Sequence, residues 1–249
     1  MTVTDALELQ ARWHGVQPQK MLAHFLQEYR GKIALASSLG AEDMVLTDII
    51  FALAPTTKIF TLDTGRLFQE TYELIEEIRS RYGIAVQAYF PEASELEEII
   101  NRHGPNLFYQ SVEKRKLCCR IRKLNPLKRA LAGLEVWVTG LRHEQSDERA
   151  AVELVEWDEA HGLLKLNPLA SWSTDDVWRY IREHKLPYHK LHDKGYPSIG
   201  CACCTRCLLP GESFRAGRWY WEEAAAPKEC GLHLVDGKLR RASLEKTHA

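Results

Sequence analysis

The chain has 249 residues, with 33 Lys and Arg against 34 Asp and Glu and a formal net charge of −1. That balance provides no global attraction for nucleic acid or an anionic membrane, and no apolar run approaches the roughly 20 residues that span a bilayer. The length suffices for one large α/β domain with a core independent of disulfides, so the seven clustered cysteines are read as thiols of a reducing cytoplasm.

Apolar residues at helical spacing (Ala6, Leu9, Trp13, then Leu22, Phe25, Leu26) predict two helices over 4–29, separated near Gly15 and Pro18. Residues 32–36 read as a buried strand, followed by the turn Ser37-Ser38-Leu39-Gly40 and a helical pattern through Met44, Val45, Ile49, Ile50 and Leu53. A second unit repeats this plan, with a strand over 58–62, a loop at Asp63-Thr64-Gly65-Arg66 and a helix over 71–82. Further strands are expected over 84–89 and 136–140, the latter running into Leu141-Arg142-His143-Glu144-Gln145-Ser146. Beyond Val152 a hairpin turning at His161-Gly162 precedes a helix whose start, Ser173-Thr174-Asp175-Asp176, resembles a capping box. From Leu186 onward Gly, Pro and Cys predict irregular structure held by a metal. The alternation predicts an α/β fold, a doubly wound, mostly parallel sheet with helices on both faces. Ligands of such sheets bind at the carboxyl ends of the strands, where the three loops named above emerge.

Ser37, Ser38, Leu39 and Gly40 offer hydroxyls and backbone amides to an anion at a helix N-terminus, although such corners also arise from capping alone and this one matches neither Walker A nor GxGxxG. Asp63, Thr64 and Gly65 suit a turn, and Arg66 at its rim suits a bidentate phosphate contact. Lys114, Arg115, Lys116, Arg120, Arg122, Lys123, Lys128 and Arg129 bracket the adjacent pair Cys118-Cys119. Such a run is ordinarily a solvated helix face. Beside thiolates it also offsets their charge and attracts a second anion.

A second cysteine group contains Cys201, Cys203, Cys204 and Cys207, in which two CxxC pairs overlap, so spacing alone leaves the ligand choice open. Zinc takes separated knuckles, and adjacent cysteines strain one tetrahedral ion; a 4Fe-4S cube spreads its ligands over four irons and fits better. His189 and His192, near the second group, are read as surface residues ahead of nitrogen ligands. Cys230 stands apart in a polar segment, with Lys228, His233, Arg215 and Arg218 available to favour its thiolate. Arg215 and Arg218, three residues apart before Trp219-Tyr220-Trp221, suit the oxygens of a phosphosulfate.

Together Ser37-Ser38-Leu39-Gly40-Ala41-Glu42-Asp43, Leu62-Asp63-Thr64-Gly65-Arg66-Leu67, Cys118-Cys119 with Arg122-Lys123, Thr139-Gly140-Leu141-Arg142, Gly195 to Cys201, Arg215 to Trp219 and Glu229-Cys230-Gly231-Leu232-His233 resemble the iron-sulfur type of assimilatory sulfonucleotide reductase, adenylylsulfate (APS) reductase. The resemblance implies an adenine nucleotide alpha hydrolase-like domain over 1–200, including the first cysteine pair, and a cluster-completing and catalytic tail over 201–249. The family's GCxPCT pattern aligns with Cys201 and Cys204 and puts Cys203 where proline is usual; Cys207 also falls outside it. It therefore implies Cys118, Cys119, Cys201 and Cys204 as ligands of a 4Fe-4S cluster and Cys230 as the nucleophile. Ser37, Ser38, Leu39, Gly40, Asp63, Thr64, Gly65, Arg66, Lys123, Arg142, Arg215, Arg218 and His233 are the expected substrate contacts, with Lys123 between cluster and substrate. The implied reaction is thioredoxin-dependent reduction of APS to sulfite and AMP, with thioredoxin or a glutaredoxin-like dithiol as partner and a homo-oligomer as one possible assembly. Three other readings are weighed: a PAPS or dual APS/PAPS reductase, an ATP pyrophosphatase-like enzyme with structural zinc, and a noncatalytic redox or iron sensor. The chain lacks the SGGxDS spacing of the pyrophosphatase loop.

Overall fold

Ile33, Ala34, Leu35 and Ala36 leave no polar side chain to face water, and they form the central strand of the sheet. The structure is a computed structural model that describes residues 3–222. Its strands are β1 (Ile33–Ala36), β2 (Lys58–Leu62), β3 (Gln87–Tyr89), β4 (Val136–Val138), β5 (Val155–Asp158) and β6 (Leu163–Leu166). They lie in the order β3-β2-β1-β4-β6-β5, parallel throughout except for β5, which runs antiparallel to β6 across the expected hairpin. Strands buried on both faces are the normal companions of parallel pairing.

The helices are α1 (Val3–Trp13), α2 (Pro18–Glu28), α3 (Ala41–Leu53), α4 (Gln69–Tyr82), α5 (Ala93–His103), α6 (Val112–Cys119), α7 (Asn125–Leu131) and α8 (Thr174–Glu183). Alternate strand residues point to opposite faces. Thus Ile33, Leu35, Val136, Val138 and Leu166 pack with α2, α3 and α8, while Ala34, Phe60 and Trp137 pack with Leu127, Ala130 and Leu131 of α7. Helix α8 begins with the capping box read from the sequence. Ser173 Oγ accepts from Asp176 N at 3.1 Å, and the Asp176 carboxylate accepts from Ser173 N at 3.0 Å.

Two expected strands are shorter than predicted. Ile84 and Val86 pack among Leu39, Met44, Leu74 and Ile78 before pairing begins at Gln87. The fourth strand stops at Val138, where the Thr139 hydroxyl turns to Asn167 Oδ1 at 2.5 Å. The stretch between β3 and β4, read from sequence only as a basic helix face, holds α5, α6 and α7. Between α6 and α7 the helix does not break at Pro126. Proline has no amide hydrogen for the Arg122 carbonyl four residues back, and its ring crowds that carbonyl. The chain widens into a π-helical turn over Arg120–Leu124, with Asn125 N donating to Arg120 O. Such wide turns recur at functional sites.

Beyond Leu186 the described chain has only short 3₁₀ turns, as expected. Protein contacts tie it down: Ala202 N donates to Arg66 O at 2.8 Å, Trp219 N donates to Cys204 O at 3.1 Å, and Arg115 pairs with Glu222 at 2.8 Å. Cys204 and Trp219 share an apolar cluster with Ile99, Phe108, Cys118 and Cys119. No helix among the described residues is long and apolar enough to cross a membrane.

Candidate active site

In the sheet order β1 and β4 are neighbours, but the chain leaves β1 toward β2 and β3 before returning to β4 on the other side. The crevice at such a reversal is where open α/β sheets bind ligands. A cavity of about 190 Å³ lies there. Ser37, Ser38 and Gly40 from the β1 loop, Thr64 from the β2 loop, and Thr139, Gly140 and Leu141 from the β4 loop all line it. Lys123, Arg149, Arg215 and Arg218 bring positive charge to its wall.

The predicted contacts divide on inspection. Ser37, Ser38, Gly40, Thr64, Lys123, Arg215 and Arg218 line the cavity; Leu39, Asp63, Gly65, Arg66 and Arg142 are not among its lining residues. Leu39 is buried beside Met44 and Leu74, in a left-handed backbone conformation (φ 63°), with its amide donating to Ser37 Oγ at 3.1 Å. It shapes the turn from behind. Asp63 closes its own loop by accepting from Gly65 N at 2.8 Å and from the Tyr72 hydroxyl at 3.2 Å. Arg142, expected to face substrate, is instead buried against Glu42 at 2.7 Å and also donates to Trp172 O at 3.0 Å and Thr174 Oγ1 at 3.3 Å. A buried guanidinium needs a carboxylate partner, and Glu42 supplies it from the first turn of α3. Cys230 and His233 lie outside the described residues.

Sequence reading missed several members of this wall. Arg149, seven residues past Arg142, enters the cavity from the β4 loop and donates to Gln145 Oε1 at 2.6 Å. Asp43 accepts from both Ser38 N (2.6 Å) and Ser38 Oγ (2.8 Å), and burial nevertheless raises its pKa to about 6. Neither histidine sits on the surface as expected. His189 is buried, its Nε2 lying 2.9 Å from Thr71 Oγ1 and its Nδ1 accepting from Leu191 N at 3.3 Å. Burial, reinforced by His192, pulls its pKa down to about 4, so it is neutral. His192 lines the cavity with a buried Nε2 that has no partner among the described residues, and burial also lowers its pKa. A hydropathy pattern carries no signal for such placements. Gly200 lets the Arg218 guanidinium approach closely, because a Cβ there would displace it.

A second, smaller cavity adjoins the first. Cys118, Cys119, Cys201, Cys203 and Cys204 line it with Arg66, Phe108, Arg115, Arg122 and Lys123, so Lys123 belongs to both. Of the basic run, Arg115 and Arg122 are buried rather than solvated. Arg122 donates to Thr64 O at 2.5 Å, and Arg115 makes a two-pronged bond to Glu222 at 2.8 and 2.9 Å. Trp219 contacts a guanidinium from each cavity wall, with Arg115 4.4 Å and Arg218 4.8 Å from its ring. Arg66 is held by Asn106 Oδ1 (3.1 Å) and Pro105 O (2.6 Å).

The six described cysteines are free thiols. Cys201 is held well below the ordinary thiol range, chiefly by a hydrogen bond from Cys204, with Lys123, Thr64 and Arg218 adding to it. Its sulfur is 3.2 Å from Thr64 Oγ1. Hydrogen bonds with Cys201 and Cys203 raise Cys204, and the bond with Cys204 lowers Cys203 to about 7. Burial raises Cys118 against the pull of Arg122. Among the described residues no three His, Cys, Asp or Glu side chains gather as one ion requires. The thiols are distributed around the cavity.

Strand-end loops, a cationic wall and a thiol-lined annex define an α/β enzyme of the adenine nucleotide alpha hydrolase-like class. Residues 32–207 match the phosphoadenosine phosphosulfate reductase domain. The chain belongs to that family and is an oxidoreductase acting on sulfur groups. It is 56% identical over 211 residues to the adenosine 5'-phosphosulfate reductase of Allochromatium vinosum, covering 85% of this chain and 82% of the relative. It is 50% identical over 208 residues to the enzyme of that name from Burkholderia cepacia, covering 84% and 83%. Among solved structures, phosphoadenylyl-sulfate (PAPS) reductase from Candida auris in a phosphate complex superposes with a TM-score of 0.70 at 27% identity, covering 81% of this chain and 96% of that one.

Proposed function

We propose that this protein reduces adenosine 5'-phosphosulfate to sulfite and AMP. The observation that carries the proposal is the sharing of Lys123 between a cation-walled strand-end cavity and a thiol-lined one. The names of relatives at 50–56% identity favour APS over its 3'-phosphorylated analogue. Ser37, Ser38, Gly40 and Thr64 bind the nucleotide from the strand-end loops. Lys123, Arg149, Arg215 and Arg218 offset the repulsion between an incoming thiolate and the phosphosulfate oxygens.

The Cys230 thiolate attacks the sulfur of APS. The bond from sulfur to the phosphate oxygen breaks, AMP departs with the electron pair, and a thiosulfonate is left on Cys230. One thiolate of a thioredoxin-type dithiol then attacks the Cys230 sulfur, the S–SO₃ bond breaks to release sulfite, and the second thiol displaces Cys230 from the mixed disulfide, so that the dithiol gives up two electrons and leaves as a disulfide. His233 stands near the nucleophile in sequence and is assigned to the same step. A reducing compartment such as the cytoplasm suits this chemistry.

The donor set around the small cavity fits an iron-sulfur cluster. Five soft thiols and four cations line it, and neighbouring cations offset the negative charge of a thiolate-bound cluster. Cys118, Cys119, Cys201 and Cys204 would hold a 4Fe-4S cube. When bound, that group supplies charge and shape to the site, with no electrons passing through it. Lys123 transmits the effect, because the same ammonium belongs to both walls.

Mass spectrometry after mixing enzyme with APS in the absence of dithiol is expected to find an SO₃ adduct on Cys230. Cys230→Ser should abolish sulfite release while the iron content stays at the wild-type level. An adduct elsewhere, or ATP turnover without sulfite, defeats the reading. Parallel steady-state assays with APS and its 3'-phosphorylated analogue distinguish the two nucleotides.

A further inference from the structure

The thiol-lined cavity holds one cysteine more than a four-iron cube needs. Cys203 lines it together with the four expected ligands, whereas Cys207 is not among its lining residues and has its Cβ beside Gly195. Cys203 and Cys204 are consecutive on the 3₁₀ turn Ala202–Cys204, with their sulfurs 3.8 Å apart. The Tyr109 hydroxyl donates to the Cys203 carbonyl at 3.0 Å, and Cys204 N donates to Cys201 O at 2.9 Å, so the turn is pinned on two sides. Arg66 stands on the same wall. Two thiols on one pinned turn, 3.8 Å apart and lining one cavity, are thus close enough to serve the same corner. A cluster corner asks only for a soft sulfur within reach.

We infer that Cys203 is a reserve ligand that takes the iron corner of Cys204 when the Cys204 thiol is lost. The inference rests on the cluster proposed above. In the intact chain Cys204 holds that corner and Cys203 remains a free thiol. In its absence an Fe–S bond forms to Cys203 Sγ, the thiol proton passes to solvent, and no electron is transferred. The three remaining thiolates have no such neighbour, because the residue beside Cys118 or Cys119 is itself a ligand and the residue after Cys201 is alanine.

The test is iron and acid-labile sulfide per chain, with the visible spectrum, for the full-length protein loaded anaerobically with ferrous iron and sulfide. Wild type and Cys203→Ser are expected to hold the same iron. Cys204→Ser and Cys204→Ala should keep most of it with a shifted visible and Fe–S vibrational spectrum. Adding Cys203→Ser to either should remove it, as should Cys118→Ser alone. The inference is overturned if both Cys204 variants are as iron-free as the double variants, or if Cys203→Ser alone loses iron. Loss of the native circular dichroism in both Cys204 variants also counts against it, since a reserve ligand would keep the cluster that anchors this segment. A wild-type chain that takes up no iron defeats the cluster itself, a result distinct from any of these.

Discussion

The two adjoining cavities are both rich in cations, but they hold them differently. Around the thiols, Arg115 is locked to the Glu222 carboxylate at 2.8 Å, Arg122 to the Thr64 carbonyl at 2.5 Å and Arg66 to the Pro105 carbonyl at 2.6 Å. Along the strand-end cavity, Arg215 and Arg218 donate to Ser198 Oγ at 3.3 and 3.4 Å, and Arg218 also to Ile199 O at 3.3 Å, all long for such bonds. The first set is a fixed field built into the fold. In the second set Arg149 is held as closely, to Gln145 Oε1 at 2.6 Å, while the longer contacts of Arg215 and Arg218 suit the transient ligand proposed above. Permanent and transient anions call for different mountings of the same side chain.

The sharpest break of this comparison is Arg115→Met. It leaves Glu222, 4% exposed, as an unpaired buried charge, and removing one partner of such a pair costs about 3–5 kcal/mol. Urea midpoints should show that loss, while Arg215→Met should leave stability almost unchanged and raise KM. Equal destabilisation by the two variants would erase the distinction.

A comparably large effect belongs to pH. The Asp43 pKa is raised to about 6 by burial, with Glu42 adding to the shift and Ser38 opposing it. The folded state therefore binds more protons than the unfolded one between about pH 4 and 6. Its contribution to stability falls as pH rises through that window, by as much as about 3 kcal/mol, and is flat above it. Glu42, paired with Arg142, faces the same group. Asp43→Asn keeps an acceptor for Ser38 and should remove this slope in denaturation curves taken across the window; an unchanged slope would assign it elsewhere.

Lys123→Gln comes next, because it touches both cavities. A loss of about 10²-fold in kcat/KM for APS is expected, the scale of one charge-stabilising donor, with iron content unaltered. Loss of iron would place Lys123 with the fixed set. Gly200→Ala has the smallest effect in the series. Its methyl group displaces Arg218, and a rise of about tenfold in KM, near 1.4 kcal/mol, is expected with little change in stability.

Much of the sheet was legible in the sequence because β1 and β2 are short apolar runs bounded by polar turns, and the Ser173 cap carries its own signature. The helices between β3 and β4 were not, since α5 has one fully buried apolar residue, Ile99, and α6 owes its burial to Arg115 and two cysteines. The cavity loops were predicted from their positions after strands. The sequence reading named Arg142 and passed over Arg149; both follow the same strand, and the carboxylate of Glu42, 100 residues earlier, is what holds Arg142 off the cavity wall. His189 and His192 illustrate the same gap, for their burial depends on α4 and α8 rather than on neighbours in the chain.

Pro126 has a consequence beyond its own turn. An α-helix rotates about 100° per residue, so a single wide turn offsets the phase of everything downstream. Upstream of it, Cys118 and Cys119 look toward the thiols of the 201–204 turn; downstream, Leu127, Ala130 and Leu131 look toward the sheet. The wide turn beside Pro126 thereby sets which residues of the rod meet the thiols and which meet the sheet.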